Sequence, residues 1–195
     1  SNPNIVILES GHAAFNKAGA YFNIDIRTVP VDIETGTANI EIIRKYMDWN
    51  TVCLVGSAPS YAHGIMDDIY DMSELAKSKN VGFHIDCCMG GFLVPFIYPN
   101  FGFSIDGVTS ISADTHKYGY TFKGSSIILY KNKELKNYQH FSKTDWNGGI
   151  YATPTLMGSK SGALIATTWA AMLYHGKDKY TQIAKEIQKM TLDIK

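Results

Sequence analysis

The sequence predicts an α/β fold: a doubly wound, mostly parallel sheet with helices on both faces. Three observations predict it. Short, largely apolar runs containing β-branched residues recur at residues 5–8, 51–55 and 81–85. Stretches with helical spacing separate them. The runs lack the apolar/polar alternation of a sheet with one wet face, so both of their faces are covered.

Each element has its own local reason. Residues 5–8 read as a buried strand, followed by a helix from near His12 to about Phe22. Residues 24–29 alternate as a strand and stop at Pro30. Asn39 is positioned to cap a helix with Ile40, Ile43, Tyr46 and Met47 on one face. The strand at 51–55 is broken by Gly56-Ser57-Ala58-Pro59. Asp67 and Asp68 open a helix through Ile69, Met72, Leu75 and Ala76, closing around Asn80. The strand at 81–85 ends at Asp86, and the Gly/Pro-rich stretch 90–107 reads mostly as loop. Residues 108–112 and 125–130 are further strands. A helix from Ser161 to about Tyr174 reads as buried nearly all round, and Gly176 separates it from a last helix starting near Asp178.

Composition narrows the function classes. The chain has 195 residues, 45% hydrophobic and 18% charged, which excludes a disordered or coiled-coil chain. Eighteen basic residues balance eighteen acidic ones, so there is no basic excess to favour nucleic acid as a partner. Cys53 sits in an apolar run and Cys87 and Cys88 are adjacent, which suits neither a disulfide framework nor a zinc site and fits a reducing compartment. The longest apolar stretch, residues 163–174, is about a dozen residues, and a membrane span needs about 20. No membrane segment is therefore expected within these residues.

In doubly wound sheets, ligands bind at the carboxyl ends of the strands. The residues there are His12, Ser57, His63, Asp86, His116 and Lys117. Lys117 follows a strand on a polar turn beside a histidine, where a lysine amine can act as a nucleophile; most lysines are simply on the surface. Asp86 can pair with a cationic ring nitrogen or serve as a turn or capping residue. His12 can lie over a planar ligand or be satisfied by backbone at a helix start. His63 and His84 read as a loop and a core-facing histidine. No histidine pair has metal-ligand spacing, and no GxSxG, GxGxxG or GxxxxGK[ST] motif occurs.

Four segments together resemble a known family: SGHAAFNKAGAYF (10–22), HIDCCMGGFLVPF (84–96), SISADTHKYGYTFKGSSIILY (110–130) and GGIYATPTLMGSKSG (148–162). The chain resembles the sphingosine-1-phosphate lyases, within the group II pyridoxal-phosphate-dependent decarboxylases. The resemblance implies a fold type I (aspartate aminotransferase-like) large domain and pyridoxal 5'-phosphate as cofactor. It implies that Lys117 binds the cofactor covalently, His116 helps hold its phosphate, His12 stacks on its ring and Asp86 pairs with its ring nitrogen. Cys88 is implied against the other ring face, Ser112 as a phosphate or cofactor contact, and Lys123 and Tyr118 as groups that contact substrate or position reacting groups.

The implied reaction cleaves the C2–C3 bond of a phosphorylated sphingoid base to a long-chain aldehyde and phosphoethanolamine. Amino-acid decarboxylation on the same fold and a catalytically silent fragment are the alternatives. The resemblance also implies a homodimer in the cytoplasm, or at the endoplasmic reticulum membrane if an anchor lies upstream. Residues 1–195 then read as one domain, most of the cofactor-binding large domain, without the family's upstream phosphate-binding turn and C-terminal small domain. Three positions depart from the family's usual residue: Cys87 for Ala, Phe122 for Pro and Lys160 for Arg.

Overall fold

The computed structural model describes residues 2–194. Six strands form the main sheet: β1 (Asn4–Leu8), β2 (Asp25–Val29), β3 (Thr51–Ser57), β4 (Gly82–Cys87), β5 (Ser110–Ala113) and β6 (Ile127–Tyr130), in the order β2-β1-β3-β4-β5-β6. Every neighbouring pair is parallel except β5–β6. The expected fold class is therefore present, with one antiparallel edge strand.

The helices α1 (Ala14–Phe22), α2 (Ile40–Tyr46) and α3 (Ile69–Ser78) connect the parallel strands. Asn39 caps α2, its Oδ1 accepting the Glu41 N–H at 2.8 Å. Successive strand residues point to opposite faces, and β4 shows both faces covered. Phe83 is fully buried in the core cluster with Met72 and Leu75 of α3. His84, the next residue, meets Phe15 of α1 with ring centroids 5.9 Å apart. The α3 side is the apolar core, with Val6, Leu8, Leu54, Ile85 and Val108. The α1 side of β4 and β5 is polar instead, carrying His84, Asp86, Ser110 and Ser112.

The rest of the chain departs from expectation in three places. The stretch after β4 holds a 3-10 turn (Gly90–Phe92) and one short helix, α4 (Val94–Ile97). Residues 131–153, left unassigned by pattern, form α5 (Lys133–Asn137) and a two-stranded antiparallel ribbon, β7 (Phe141–Trp146) with β8 (Gly149–Thr153). α6 (Gly162–Ile194) bends at Gly176, whose φ of 61° is outside the helical region. Its first half is not buried all round: Ile165, Trp169 and Leu173 are each over 60% exposed. The helix touches the domain mainly through α4 and its own second half, where Tyr180 and Ala184 are buried. Among the described residues no helix is long and apolar enough to cross a membrane.

Candidate active site

The parallel strands end together, and their carboxyl edge gathers the candidate residues. Gly11 donates its N–H to Leu8 O at 2.9 Å, turning the chain back after β1 and setting His12 at that edge. The His12 Nδ1 accepts the Ala14 N–H at 3.1 Å, so this histidine does satisfy the start of α1, which begins at Ala14. Its ring also meets Tyr61 edge-on at 5.9 Å. Asp86 lies one residue from the end of β4, paired in register with Ser57 of β3 and Ser112 of β5.

Asp86 is 7% exposed. Its Oδ1 accepts the Cys88 N–H at 3.0 Å and the Ser112 hydroxyl at 3.1 Å. Among the described residues its Oδ2 accepts no hydrogen bond and keeps some access to solvent, so it is open to a donor from a ligand. The Cys88 thiol is pushed up to about 12 by burial and by the Asp86 carboxyl, so it stays protonated. It donates to Ser112 Oγ at 3.4 Å. Cys88 and Ser112 thus both address Asp86.

The turn after β5 carries the lysine. Lys117 Nζ is 3.0 Å from Asp114 Oδ2, and His116 Nε2 is 3.7 Å from the same oxygen. Burial works against the Asp114 charge, but bonds from Ser126 and Lys117 and the nearby His116 outweigh it and hold its carboxyl below the usual range. The His116 Nδ1 bonds the Ser125 carbonyl at 2.6 Å, so Nδ1 carries the proton there. Thr115 is buried and bonds Ser125, which in turn bonds Thr168 of α6 at 2.9 Å. Beside the turn, a cleft of about 380 Å³ is lined by Tyr61, Met89, Lys117, Tyr118, Tyr120 and Lys123. That volume lies within the range of small-molecule sites.

The arrangement fits a planar cofactor that bears a protonated ring nitrogen. It offers a buried carboxylate with one free oxygen, a lysine amine, and a cleft with tyrosine walls and a second cation, Lys123. The structure brings Lys117, Tyr118 and Lys123 together in that cleft and Asp86, Cys88 and Ser112 together in one hydrogen-bonded cluster. His12 joins neither; it contacts Tyr61, which lines the cleft.

Several site residues escaped the sequence reading. Asp114 stands three residues before Lys117, a spacing that could have suggested the ion pair. His84 looked like a core residue, yet its ring bonds Ser110 and Ser112 at 2.8 and 3.3 Å. Tyr61, Met89 and Tyr120 gave no signal, since only folding brings them beside Lys117.

Comparison with known proteins follows this geometry. The model of the pyridoxal-dependent decarboxylase conserved domain matches residues 1–190. The chain is 45% identical to a sphingosine-1-phosphate lyase of Drosophila melanogaster over 96% of its own length and 35% of that protein. It is 44% identical to one of Arabidopsis thaliana over 97% of its length and 36% of that protein. A sphingosine-1-phosphate lyase of Burkholderia pseudomallei superposes with a TM-score of 0.94 at 42% identity, over 98% of this chain and 45% of that one. A glutamate decarboxylase of Lactobacillus brevis superposes at 0.83 and 27% identity, over 94% of this chain and 44% of that one. The chain spans about a third of the length of the curated relatives it matches.

Proposed function

This chain belongs to the pyridoxal-dependent decarboxylase family, and from that premise we propose that it is the cofactor-binding domain of a lyase for phosphorylated sphingoid bases. The reaction cleaves the C2–C3 bond and yields a long-chain aldehyde and phosphoethanolamine. The observation that carries this substrate class is 40–45% identity, over nearly the whole chain, to relatives named sphingosine-1-phosphate lyase.

When bound, pyridoxal phosphate supplies an electron sink for the pair released as the C2–C3 bond breaks. The protein's residues then have separable tasks. Lys117 holds the cofactor through its amine, and Asp114 orients that amine beforehand. Asp86 presents Oδ2 to the ring nitrogen and holds its proton there, because Oδ1 is already occupied by Cys88 and Ser112. Cys88 and His12 would flank the bound ring and His116 would meet the cofactor's phosphate, while Ser112, whose proton and lone pairs are taken by Asp86, Cys88 and His84, would act through Asp86. Lys123 and Tyr118 line the cleft beside Lys117, and we assign them to contact the substrate or position the reacting groups. Tyr61 and Tyr120 line the same cleft.

We assign the working enzyme as a homodimer, supported by Ile165, Trp169 and Leu173 exposed on α6. Three free thiols support a reducing, cytoplasmic location. The test mixes the purified protein with pyridoxal phosphate and then with sphingosine 1-phosphate. A yellow band that borohydride bleaches, its absence in Lys117→Ala, and aldehyde release bear the reading out. Carbon dioxide release from an amino acid without aldehyde release would make it a decarboxylase. A colourless protein would overturn it.

A further inference from the structure

The polar face of β4 and β5 contains one hydrogen-bond chain whose direction is fixed by valence. Ser112 Oγ has three partners: Asp86 Oδ1 at 3.1 Å, Cys88 Sγ at 3.4 Å and His84 Nε2 at 3.3 Å. A hydroxyl has one proton and two lone pairs, and a carboxylate can only accept. The Ser112 proton therefore goes to Asp86. The two lone pairs accept from the Cys88 thiol and from His84 Nε2–H.

That assignment sets the rest of the chain. Burial lowers the His84 pKa, against a smaller opposing effect of Asp86, which favours the neutral ring. A neutral ring with its proton on Nε2 has Nδ1 as an acceptor, and Nδ1 lies 2.8 Å from Ser110 Oγ. The Ser110 hydroxyl donates to it. All the donors, from Ser110 through His84 and Ser112, point the same way along the face and end on one oxygen of Asp86. Phe15 of α1 meets the partly buried His84 ring at 60°, with centroids 5.9 Å apart. In such a low-dielectric setting aligned hydrogen bonds strengthen one another.

We propose that His84 is a positioning residue that acts through Ser112 to hold the Asp86 carboxylate charged and turned so that Oδ2 faces the cofactor's ring nitrogen. The proposal rests on the reading of Asp86 given above. His84 itself touches no ligand in this scheme. It fixes which oxygen of Asp86 is occupied and which is free, as outer partners do for metal ligands.

The test compares affinity for pyridoxal phosphate with affinity for its carbocyclic analogue, which has C–H in place of the ring nitrogen. The ratio of the two affinities reads the Asp86–nitrogen contact and cancels damage to the rest of the site. Wild type is expected to prefer pyridoxal phosphate, and Asp86→Asn to lose that preference. His84→Phe is expected to cut the preference about tenfold, the scale of one hydrogen bond to a charged group, with analogue affinity unchanged, and Ser112→Ala is expected to lower the same ratio. His84→Gln, whose amide can donate toward Ser112, is expected to restore most of it. Equal weakening of both ligands in His84→Phe, or an unchanged ratio, overturns the role of His84 while leaving that of Asp86 intact. No preference in wild type overturns both.

Discussion

Lys117 Nζ stands 3.0 Å from Asp114 Oδ2, across a single turn at the carboxyl end of β5. The amine is thus held in place by a largely buried carboxylate that also lies 3.7 Å from His116. The pair makes Asp114 a second determinant of how Lys117 meets its ligand. Asp114→Asn keeps the shape but removes the charge. It is expected to slow formation of the borohydride-sensitive yellow band by roughly tenfold, the effect of losing one charge-assisted bond. Stopped-flow absorbance checks this, and an unchanged rate would show that the pair orients nothing.

Asp67 is 5% exposed, and its Oδ2 accepts the Ser57 N–H at 2.7 Å while Oδ1 is buried without a partner. Burial, with a further push from Asp86, raises its carboxyl from 3.8 to about 6. The folded protein therefore binds more protons than the unfolded chain between those values. Stability from this group falls as pH rises through that window and is level above it. The stability of wild type relative to Asp67→Asn is expected to drop by about 2 kcal/mol between pH 4 and pH 6.5. Denaturation at both pH values measures it, and a pH-independent difference would refute it.

Gly90 follows the Asp86–Cys88 segment and packs against the end of β3. A Cβ added there would lie 1.9 Å from the Ala58 carbonyl oxygen, a backbone atom that cannot swing aside. Gly90→Ala is expected to lower stability by about 2–3 kcal/mol, as overpacking does. It should also weaken cofactor binding, because relief must move either Ala58 or the segment carrying Asp86. A melting temperature equal to wild type would count against the close approach.

Tyr180 of α6 donates its hydroxyl to Gly119 O at 2.9 Å and stacks near Phe92 and Phe96, at 5.4 and 5.7 Å. It ties the last helix to the turn that carries Lys117. Tyr180→Phe keeps the ring packing and loses the bond, so it should cost about 1 kcal/mol. Tyr180→Ala should cost about 3–5 kcal/mol. Chemical denaturation of the two variants separates bond from ring, and a Tyr180→Phe variant as stable as wild type would mean that the bond contributes nothing beyond packing.

Much of the sheet was written locally. Apolar runs at β1, β3 and β4, the Asn39 cap and the break at Gly176 depend on neighbours a few residues away, so periodicity alone determined them. The candidate residues Asp86 and Lys117 were also legible, because strand ends in a parallel sheet are where ligands bind. Pattern failed where partners are remote. His84 read as core because its bonding partners, Ser110 and Ser112, are 26 and 28 residues away and meet it only when β4 pairs with β5. The first half of α6 read as buried because its composition is apolar, but apolar composition does not say which surface will cover it. The bond from Tyr180 to Gly119 spans 61 residues. By itself, the sequence determined the order of the main sheet's strands and connecting helices and the chemistry at their ends. The tertiary structure decided which polar groups share a face and which oxygen of Asp86 stays free, since hydrogen-bond direction depends on atoms that only folding brings within 3 Å of each other.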